Sequence, residues 1–377
     1  MKIVKSILKW TVRIVFVLVL VGALFVFIAY WRSTNDCDRK AGPPANAMKA
    51  IVKCEYGVDN LKLQDVEKPT PADDQLLVKV RAVSVNPVDG HLTRGMWLAR
   101  IMGSGLRKPK DTTVGVDYSG VVEAIGRNVT NFRPGDEVFG GKTGAFAQYI
   151  AVKADRAVAL KPANVSFEQA GGVGVAGLTA LQGLRDKGHV QTGQKVLING
   201  ASGGVGTFAV QIAKAMGAEV TGVCSTRNVD LVKLIGADHV IDYTKEDFTK
   251  GEQRYDVIFD NVQNHSYAER QRVLVENGIC VLAGIGGAGW HPETAGRIAK
   301  SFLSPLRAKF SKQKFTFFIA QFNHNDLAYL ADLMQSGKLT PVIDRTYKSL
   351  NEIPDALRYL EEGHARGKVI VKVTGDE

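Results

Sequence analysis

A glycine-rich stretch in the middle of the chain has the residue types and the spacing to hold a phosphate. It reads GASGGVG at 200–206 and follows 195–198, a short apolar run typical of a buried parallel strand. Residues 207–216 show helical spacing, and 219–223 predict the next strand. Glycines let the backbone turn sharply and approach a pyrophosphate, and the N–H groups at a helix start bind its charge. The context therefore predicts a dinucleotide site rather than an ordinary glycine-rich turn. Its binding residues are Gly200, Ser202, Gly203, Gly204, Val205 and Gly206.

The end of the second predicted strand distinguishes between the two nicotinamide dinucleotides. An NAD site usually carries Asp or Glu about 20 residues beyond the first glycines. Here residues 223–228 read VCSTRN, and the first acidic residue is Asp230. Arg227, with Ser225 nearby, suits a 2′-phosphate, because a planar guanidinium pairs with two phosphate oxygens. The sequence therefore predicts NADPH as the cofactor, with a solvated surface arginine as the alternative for Arg227.

The composition is that of a globular protein with a distinct N-terminus. The chain has 377 residues, enough for two domains, and a net charge of +10. Residues 1–47 hold seven basic and two acidic residues, which is half of that excess. No basic run interleaved with aromatic residues follows, so nucleic-acid binding is not indicated. The four cysteines form no C-x-x-C pair, so we expect no zinc lobe and no disulfide framework. Cys224 and Cys280 are expected to be buried reduced thiols.

An apolar segment near the N-terminus predicts a membrane anchor. Eighteen residues without a charge lie between Arg13 and Arg32, about 27 Å of helix at about 1.5 Å per residue. Tyr30 and Trp31 stand where interfacial aromatic residues belong. The length of the segment, and the lack of an A-x-A-like site after it, favour an anchor over a cleaved signal peptide. The predicted parts are a basic N-terminus over 1–13, a transmembrane anchor over 14–31 and a linker over 32–47. The flanking charges only weakly favour an external folded domain, and the need for NADPH favours a cytosol-facing one.

The rest of the chain predicts a region of short strands followed by alternating strands and helices. Strand patterns occur at 75–86, 118–126, 137–140, 240–243, 255–262, 278–286 and 368–373, with a β-like return at 338–347. Helical patterns occur at 229–235, 266–274 and 326–336. This order indicates a largely β domain and then βαβ units with a parallel sheet.

Residues 48–377 resemble the zinc-free medium-chain dehydrogenases/reductases of the quinone oxidoreductase branch. The motifs that carry the resemblance are SVNPVDGHLTRG at 84–95, VGVDYSGVVEAIG at 114–126, FRPGDEVFG at 132–140, GAFAQYIAV at 144–152, GLTALQGL at 177–184, GASGGVG at 200–206, LIGADHVIDY at 234–243, GKLTPVID at 337–344 and GHARGKVIV at 363–371. It implies an α/β fold with a GroES-like catalytic domain over 48–168, a Rossmann doubly wound parallel sheet that binds NADP over 169–338, and a return to the catalytic domain over 339–377. A cleft between the domains would hold nicotinamide and substrate, and a homodimer is implied by resemblance alone.

The positions that hold zinc in metal-dependent relatives are changed in this chain. The segment that would supply Gly-His-Glu reads GVD at 115–117, and the expected upstream cysteine is replaced within 85–89. Metal-assisted alcohol oxidation is therefore disfavoured. Hydride transfer to a quinone or an α,β-unsaturated carbonyl fits best, because such acceptors take hydride readily. The alternatives are a nucleotide-binding scaffold without turnover and an alcohol dehydrogenase.

The resemblance also implies roles for single residues. Asn86 and Asp89 would lie in the cleft, Thr179 on the nicotinamide side, and Tyr243 with Ser225 and Arg227 around the 2′-phosphate. Ile285 is expected at the carboxyl ends of the strands, where ligands of open α/β sheets bind. His91 stands where some relatives have Tyr, and as a histidine it could donate the proton that follows hydride transfer. The alternative for His91 is a partly exposed cleft residue.

Residues 295–322 alternate basic and apolar side chains. One interpretation is a solvated lid over the cleft. The other is a basic amphipathic surface that docks on anionic lipid.

Overall fold

Two β-sheets and a short ribbon organise the chain. The computed structural model describes residues 2–35, 37, 44–96, 100, 104–284 and 311–373. Its strands are β1 (Ala47–Lys53), β2 (Leu61–Glu67), β3 (Gln75–Val85), β4 (Asp117–Ile125), β5 (Glu137–Gly141), β6 (Tyr149–Lys153), β7 (Val158–Leu160), β8 (Lys195–Asn199), β9 (Glu219–Cys224), β10 (His239–Asp242), β11 (Tyr255–Asp260), β12 (Leu274–Ala283), β13 (Lys314–Phe318), β14 (Ile343–Tyr347) and β15 (Lys368–Lys372). Its helices are α1 (Lys2–Trp31), α2 (Pro87–Arg94), α3 (Phe167–Gly171), α4 (Gly174–Gln182), α5 (Gly204–Ala215), α6 (Val229–Leu234), α7 (Tyr267–Arg272), α8 (His324–Gln335) and α9 (Ile353–Glu361).

A seven-stranded sheet is built around the long strand β3. The order is β14-β15-β3-β4-β5-β7, and β6 also pairs with β3. Strands β3, β4, β5, β6 and β7 pair antiparallel, whereas β14 and β15 run parallel. Because β3 has neighbours along both edges, most of its side chains are buried, and Leu76, Val78 and Val83 are fully covered. The C-terminal strand β15 therefore closes the same sheet that the first part of the chain begins.

A six-stranded parallel sheet carries the glycine-rich stretch. Its order is β10-β9-β8-β11-β12-β13, and every pairing is parallel. Val196, Leu197 and Ile198 of β8 are fully buried, as expected for a strand with helices on both faces. The order of the strands reverses between β8 and β11, and ligands of such sheets bind outside the carboxyl ends at that point. The predicted doubly wound parallel sheet is confirmed.

Most predicted elements agree with the structure to within a few residues, and three differ at one end. Helix α5 begins at Gly204, three residues before the predicted start, because the last glycines of the turn adopt its first turn. The predicted return at 338–347 forms a strand only from Ile343 to Tyr347, where β15 provides a hydrogen-bonding partner. The predicted strand at 278–286 is longer at its start, since β12 begins at Leu274.

The structure does not support the transmembrane anchor predicted over 14–31. Helix α1 spans Lys2–Trp31, but no helix among the described residues is both long and apolar enough to cross a membrane. The predicted cytosol-facing orientation depended on that anchor and loses its basis.

A disulfide that the sequence analysis did not expect joins Cys37 to Cys54. The Cα atoms are 5.7 Å apart, and seventeen positions separate the two residues. The Asn35 side chain donates to the carbonyl of Cys54 at 2.7 Å, and Ser33 Oγ donates to the carbonyl of Lys108 at 3.2 Å. No motif marks the pair, because the end of β1 and the preceding segment meet only in the fold. The prediction of no disulfide was wrong for this pair.

Cys224 and Cys280 are free and buried, as predicted. Burial raises the pKa of the Cys224 thiol to about 11, and burial also raises the pKa of Cys280. Both thiols therefore stay protonated and unreactive near neutral pH.

We expect the disulfide to stabilise the fold by closing a loop in the unfolded chain. Cys54→Ser should lower the free energy of unfolding by about 3 kcal/mol, the loss expected for a loop of this length. Urea unfolding of the wild-type protein with and without a dithiol checks this, and the variant should not respond to the dithiol. Alkylation of the denatured, unreduced protein should modify Cys224 and Cys280 alone. Modification of all four cysteines would contradict the disulfide.

Candidate active site

The glycine turn places unused backbone donors at the switch point of the parallel sheet. Gly200 has a φ of +85°, and a Cβ on Gly206 would lie 2.0 Å from the carbonyl oxygen of Gly200. Both positions therefore require glycine. Gly203 is the N-cap of α5 and supplies no side-chain acceptor to the first N–H groups. Those donors, at the positive end of a twelve-residue helix, suit a pyrophosphate.

A side chain that the sequence analysis missed joins the two predicted serines. Asn228 Nδ2 donates to Ser202 Oγ at 3.0 Å and to Ser225 Oγ at 3.1 Å. Asn228 is 6% exposed and directly precedes α6. The structure therefore brings Ser202 of the glycine turn and Ser225 of the second strand end into one group. The available sequence signal for Asn228 was its position next to Arg227, directly before a predicted helix.

Arg227 lies against a loop from the C-terminal part of the chain. Its Nη2 donates to the carbonyl of His364 at 2.7 Å, and Arg366 Nη2 donates to the carbonyl of Arg227 at 3.4 Å. The Arg366 guanidinium therefore reaches the backbone of Arg227 beside the end of β9. The backbone N–H of Tyr243 donates to Cys224 O at 3.0 Å, so Tyr243 is also close to this strand end, with its side chain 60% exposed. Arg366 belongs to the motif GHARGKVIV at 363–371, but nothing in the sequence indicated that it lies beside Arg227.

An acidic residue also reaches this region, from the third strand rather than the second. Asp242, at the end of β10, accepts from Thr226 Oγ1 at 2.6 Å and from Thr244 Oγ1 at 2.7 Å. The hydrogen bond from Thr226 lowers the pKa of Asp242 to about 2. Asp242 is therefore an ionised carboxylate whose oxygens are occupied by threonines.

A buried polar cluster lies next to the glycine turn. Asn86 Oδ1 accepts from Lys368 Nζ at 2.5 Å, and Asn86 Nδ2 donates to Asp117 Oδ2 at 3.0 Å. Lys368 Nζ is 3.5 Å from Asp117 Oδ2, and burial lowers the pKa of this lysine. A Cβ on Gly204 would lie 3.4 Å from Lys368 Cδ, so the lysine stem runs beside the start of α5. The amide of Asn86 is therefore held by a cation and a carboxylate, and it is 2% exposed.

Asp89 is buried beneath the start of α2. Its Oδ2 accepts from the backbone N–H of Asn86 at 2.8 Å, which caps the helix, and its Oδ1 has no hydrogen-bond partner among the described residues. Burial, and then the charge of Asp117, raises the pKa of Asp89 to about 7. Its side chain is only 1% exposed, so the structure places Asp89 behind the cleft surface that the resemblance implied.

His91 and Thr179 occupy two different helices. His91, in α2, is 6% exposed, and burial lowers the pKa of its imidazole against the opposing charge of Glu361. Thr179, in α4, donates from Oγ1 to the carbonyl of Val175 at 2.7 Å and is 8% exposed. Both side chains are more buried than open cleft residues would be. Ile285 and most of the basic surface at 295–322 lie outside the described residues, so their predicted roles stay predictions.

The residues at the former zinc positions do not fit a metal. Both oxygens of Asp117 accept hydrogen bonds, Oδ1 from the N–H of Val175 at 2.7 Å and Oδ2 from Ser84 Oγ at 2.8 Å. The four cysteines are a disulfide pair and two thiols buried near strand ends of the parallel sheet. Over the described part of the chain, no three His, Cys, Asp or Glu residues are grouped to hold a metal ion.

The raised pKa of Asp89 predicts a pH-dependent stability. The folded state keeps a proton that the unfolded chain releases near pH 4, so stability from this group falls as pH rises towards 7. By linkage, the free energy of unfolding of the wild-type protein should fall by on the order of 3 kcal/mol between pH 5 and pH 8. That of Asp89→Asn should not show this fall. Asn keeps an acceptor for the Asn86 N–H and does not titrate, so position 89 should add no pH dependence to the stability of the variant. Urea unfolding at both pH values checks this, and parallel pH profiles would contradict it.

Comparisons with known proteins agree with this architecture. Residues 72–163 match the family model of the alcohol dehydrogenase GroES-like domain, and residues 235–371 match that of zinc-binding dehydrogenase. A 2-methylene-furan-3-one reductase of Solanum lycopersicum is 34% identical over 86% of this chain and 79% of its own. A chloroplastic NADPH-dependent alkenal/one oxidoreductase of Arabidopsis thaliana is 32% identical over the same shares of both chains.

A solved structure shows the same fold. The quinone oxidoreductase from Coxiella burnetii superposes with a TM-score of 0.74, is 32% identical, and covers 87% of this chain and 100% of its own. The GroES-like and Rossmann-type parts of the predicted fold are thereby confirmed, and so is the predicted class of enzyme. The chain belongs to the medium-chain dehydrogenase/reductase family and is an oxidoreductase that uses a nicotinamide cofactor.

Proposed function

We propose that this chain uses NADPH to reduce the conjugated double bond of an α,β-unsaturated carbonyl compound, or a quinone. The observation that carries the proposal is the group of phosphate-binding residues at the switch point. An uncapped helix start follows β8, and Arg227 and Arg366 meet at the end of β9. The similar proteins, which include an alkenal/one oxidoreductase and a quinone oxidoreductase, support the acceptor class.

The chain's residues would divide the cofactor between them. The N–H groups of Gly204 and Val205, in the first turn of α5, would bind the pyrophosphate. Ser225 and Arg227 would bind the 2′-phosphate, with Arg366 adding a second guanidinium. Tyr243 would cover the adenine end, and Thr179 would approach the nicotinamide end. Bound NADPH supplies a hydride.

The acceptor needs orientation and a proton more than a strong electrophilic catalyst. Hydride addition to the β-carbon of an enone leaves the electron pair on the carbonyl oxygen, and a proton then completes the saturated ketone. The protein excludes water and holds the carbonyl close to the nicotinamide. His91 is the proposed proton donor, acting in its imidazolium form, which becomes the neutral ring when the proton leaves and is restored by a proton from solvent. Burial lowers the pKa of His91, so the imidazolium is the minor form at pH 7.

The alternative functions are separated by turnover and by metal content. A scaffold protein would bind NADPH and oxidise none of it when quinones or enones are added. An alcohol dehydrogenase would need zinc, for which the described residues offer no ligand group. The domain boundaries at 168 and 338 and the homodimer stay predictions, and the two separate sheets support the boundaries.

Arg227→Ala should remove the preference for NADPH. Loss of a guanidinium that pairs with the 2′-phosphate should weaken NADPH binding about tenfold and leave NADH binding nearly unchanged, since only NADPH carries that charge. Titration of protein fluorescence with each cofactor measures both dissociation constants. Arg254→Ala is the matched control, because Arg254 is an exposed arginine whose Nη1 donates to the carbonyls of its own turn. Equal loss of both cofactors in Arg227→Ala would argue against a 2′-phosphate site.

His91→Phe should lower turnover if the imidazole supplies the proton. We expect kcat to fall at least about tenfold, a typical contribution of a positioned proton donor, while the KM for NADPH changes little. Steady-state kinetics with an enone measures both, and His239→Phe, which replaces an exposed histidine of β10, is the control. His91→Gln, whose amide can donate a hydrogen bond but cannot give up a proton, should lose turnover as well, and it tests the role where the larger ring of Phe perturbs folding. Unchanged kcat in a folded variant removes the proposal for His91.

A further inference from the structure

We propose that Asp117 is a positioning residue for hydride transfer: it caps helix α4 from the neighbouring sheet and thereby fixes the hydroxyl of Thr179. The inference rests on the proposed function, which places Thr179 on the nicotinamide side. Asp117 is fully buried at the start of β4, and α4 lies between the two sheets in the chain order.

Helix α4 has no cap of its own. Its N-cap residue is Val173, whose side chain offers no acceptor to the first N–H groups. Asp117 Oδ1 accepts from the N–H of Val175 at 2.7 Å, in the first turn of the helix. A carboxylate at this position satisfies a free donor and interacts favourably with the positive end of the helix. Asp117 therefore replaces the missing cap, although it is 58 residues away in sequence.

The capped residue is also the one that orients Thr179. The carbonyl of Val175 accepts from Thr179 Oγ1 at 2.7 Å, one turn along α4. The backbone of Val175 thus contacts Asp117 through its N–H and the Thr179 hydroxyl through its carbonyl. Movement of the first turn of α4 would move this hydroxyl directly, because the hydrogen bond spans four residues of one short helix.

Residue 174 is a glycine, and the absence of a side chain there leaves room for the contact between Asp117 and Val175. A Cβ on Gly174 would lie 2.4 Å from Asp117 Oδ1 and 2.9 Å from the carbonyl oxygen of Gly140. Glycine at the first position of α4 is therefore required for the carboxylate to reach the helix. Ser119, two residues along the same face of β4, donates to the carbonyl of Phe167 at 2.6 Å and fixes α3 in the same way.

The other oxygen of Asp117 is held by three donors of the seven-stranded sheet. Oδ2 accepts from Ser84 Oγ at 2.8 Å and Asn86 Nδ2 at 3.0 Å, and Lys368 Nζ lies at 3.5 Å. All the contacting groups on both oxygens are donors, so an acceptor-only carboxylate fits this place. Asparagine has the same shape as aspartate, but its NH2 group would face either the Val175 N–H or the donors on the Oδ2 side. The hydrogen bonds on that side would be lost.

Asp117→Asn should affect the two ends of the cofactor site differently. The nicotinamide end should be disturbed and the 2′-phosphate end, at Ser225 and Arg227, should not. We expect kcat for enone reduction to fall about tenfold and NADPH to bind several-fold more weakly, the effect of losing one helix cap. The dissociation constant of 2′,5′-ADP, which lacks nicotinamide, should stay within about twofold, as for a site with no shared contact. Fluorescence titration and steady-state kinetics measure these quantities.

Two control variants test whether the effect is specific to the cap. Ser84→Ala removes a donor from Oδ2 and leaves the contact with Val175, so it should cost stability with little change in kcat. Asp326→Asn alters a buried carboxylate that accepts from Gln182, at the other end of α4, and should also keep kcat. Equal loss of 2′,5′-ADP and NADPH binding in Asp117→Asn, or unchanged kcat and NADPH affinity, overturns the proposal. If the wild-type protein reduces no enone or quinone, the proposed function fails, and the binding comparison still decides the role of Asp117.

Discussion

The carboxylate of Asp117 is the interaction on which the meeting of the two sheets depends. It bonds to the first turn of α4 through one oxygen and to the strand end at Ser84 through the other. Burial of a charged group costs several kcal/mol unless donors replace its lost water. The donors that replace water come from three segments: Ser84 and Asn86 at the end of β3, Lys368 of β15 and Val175 of α4. The charge therefore holds these segments together, and glycine at 174 is a consequence of that arrangement.

The buried charges near Asp117 balance through the proton on Asp89. Two carboxyl groups, Asp89 and Asp117, share their surroundings with one buried ammonium group, Lys368. Three ionised groups would leave a net negative charge in a buried region. The pKa of Asp89, raised to about 7 by burial and by Asp117, keeps a proton on one carboxyl group near neutral pH. One carboxylate then faces one ammonium group, which is the cheaper state in a medium of low dielectric constant.

Local patterns predicted the elements well, and long-range contacts account for what they missed. The glycine turn, β8 and α5 follow from spacing within thirty residues, because strand, turn and helix there have separate signatures. Asp117 was read as a lost zinc ligand, and its role as a cap depends on a helix that starts 57 residues later. The disulfide of Cys37 and Cys54 and the approach of Arg366 to Arg227 are also contacts between distant segments. No periodicity encodes such pairs, so they appear only when the chain is folded.

At the end of the site that would bind the 2′-phosphate, the hydrogen-bond partners of a carboxylate decide more about the choice between NAD and NADPH than its position does. The absence of an acid near the end of β9 pointed to NADPH, yet Asp242 approaches the same place from β10. Its oxygens already accept from Thr226 and Thr244, and Lys245 Nζ lies 3.4 Å away. A carboxylate with its lone pairs occupied is a poor acceptor for ribose hydroxyls. The guanidinium groups of Arg227 and Arg366 are held by backbone carbonyls, which satisfy one donor each, and no carboxylate of the described residues pairs with either group. The local field therefore favours a phosphate over a hydroxyl, in agreement with the cofactor inferred from Arg227.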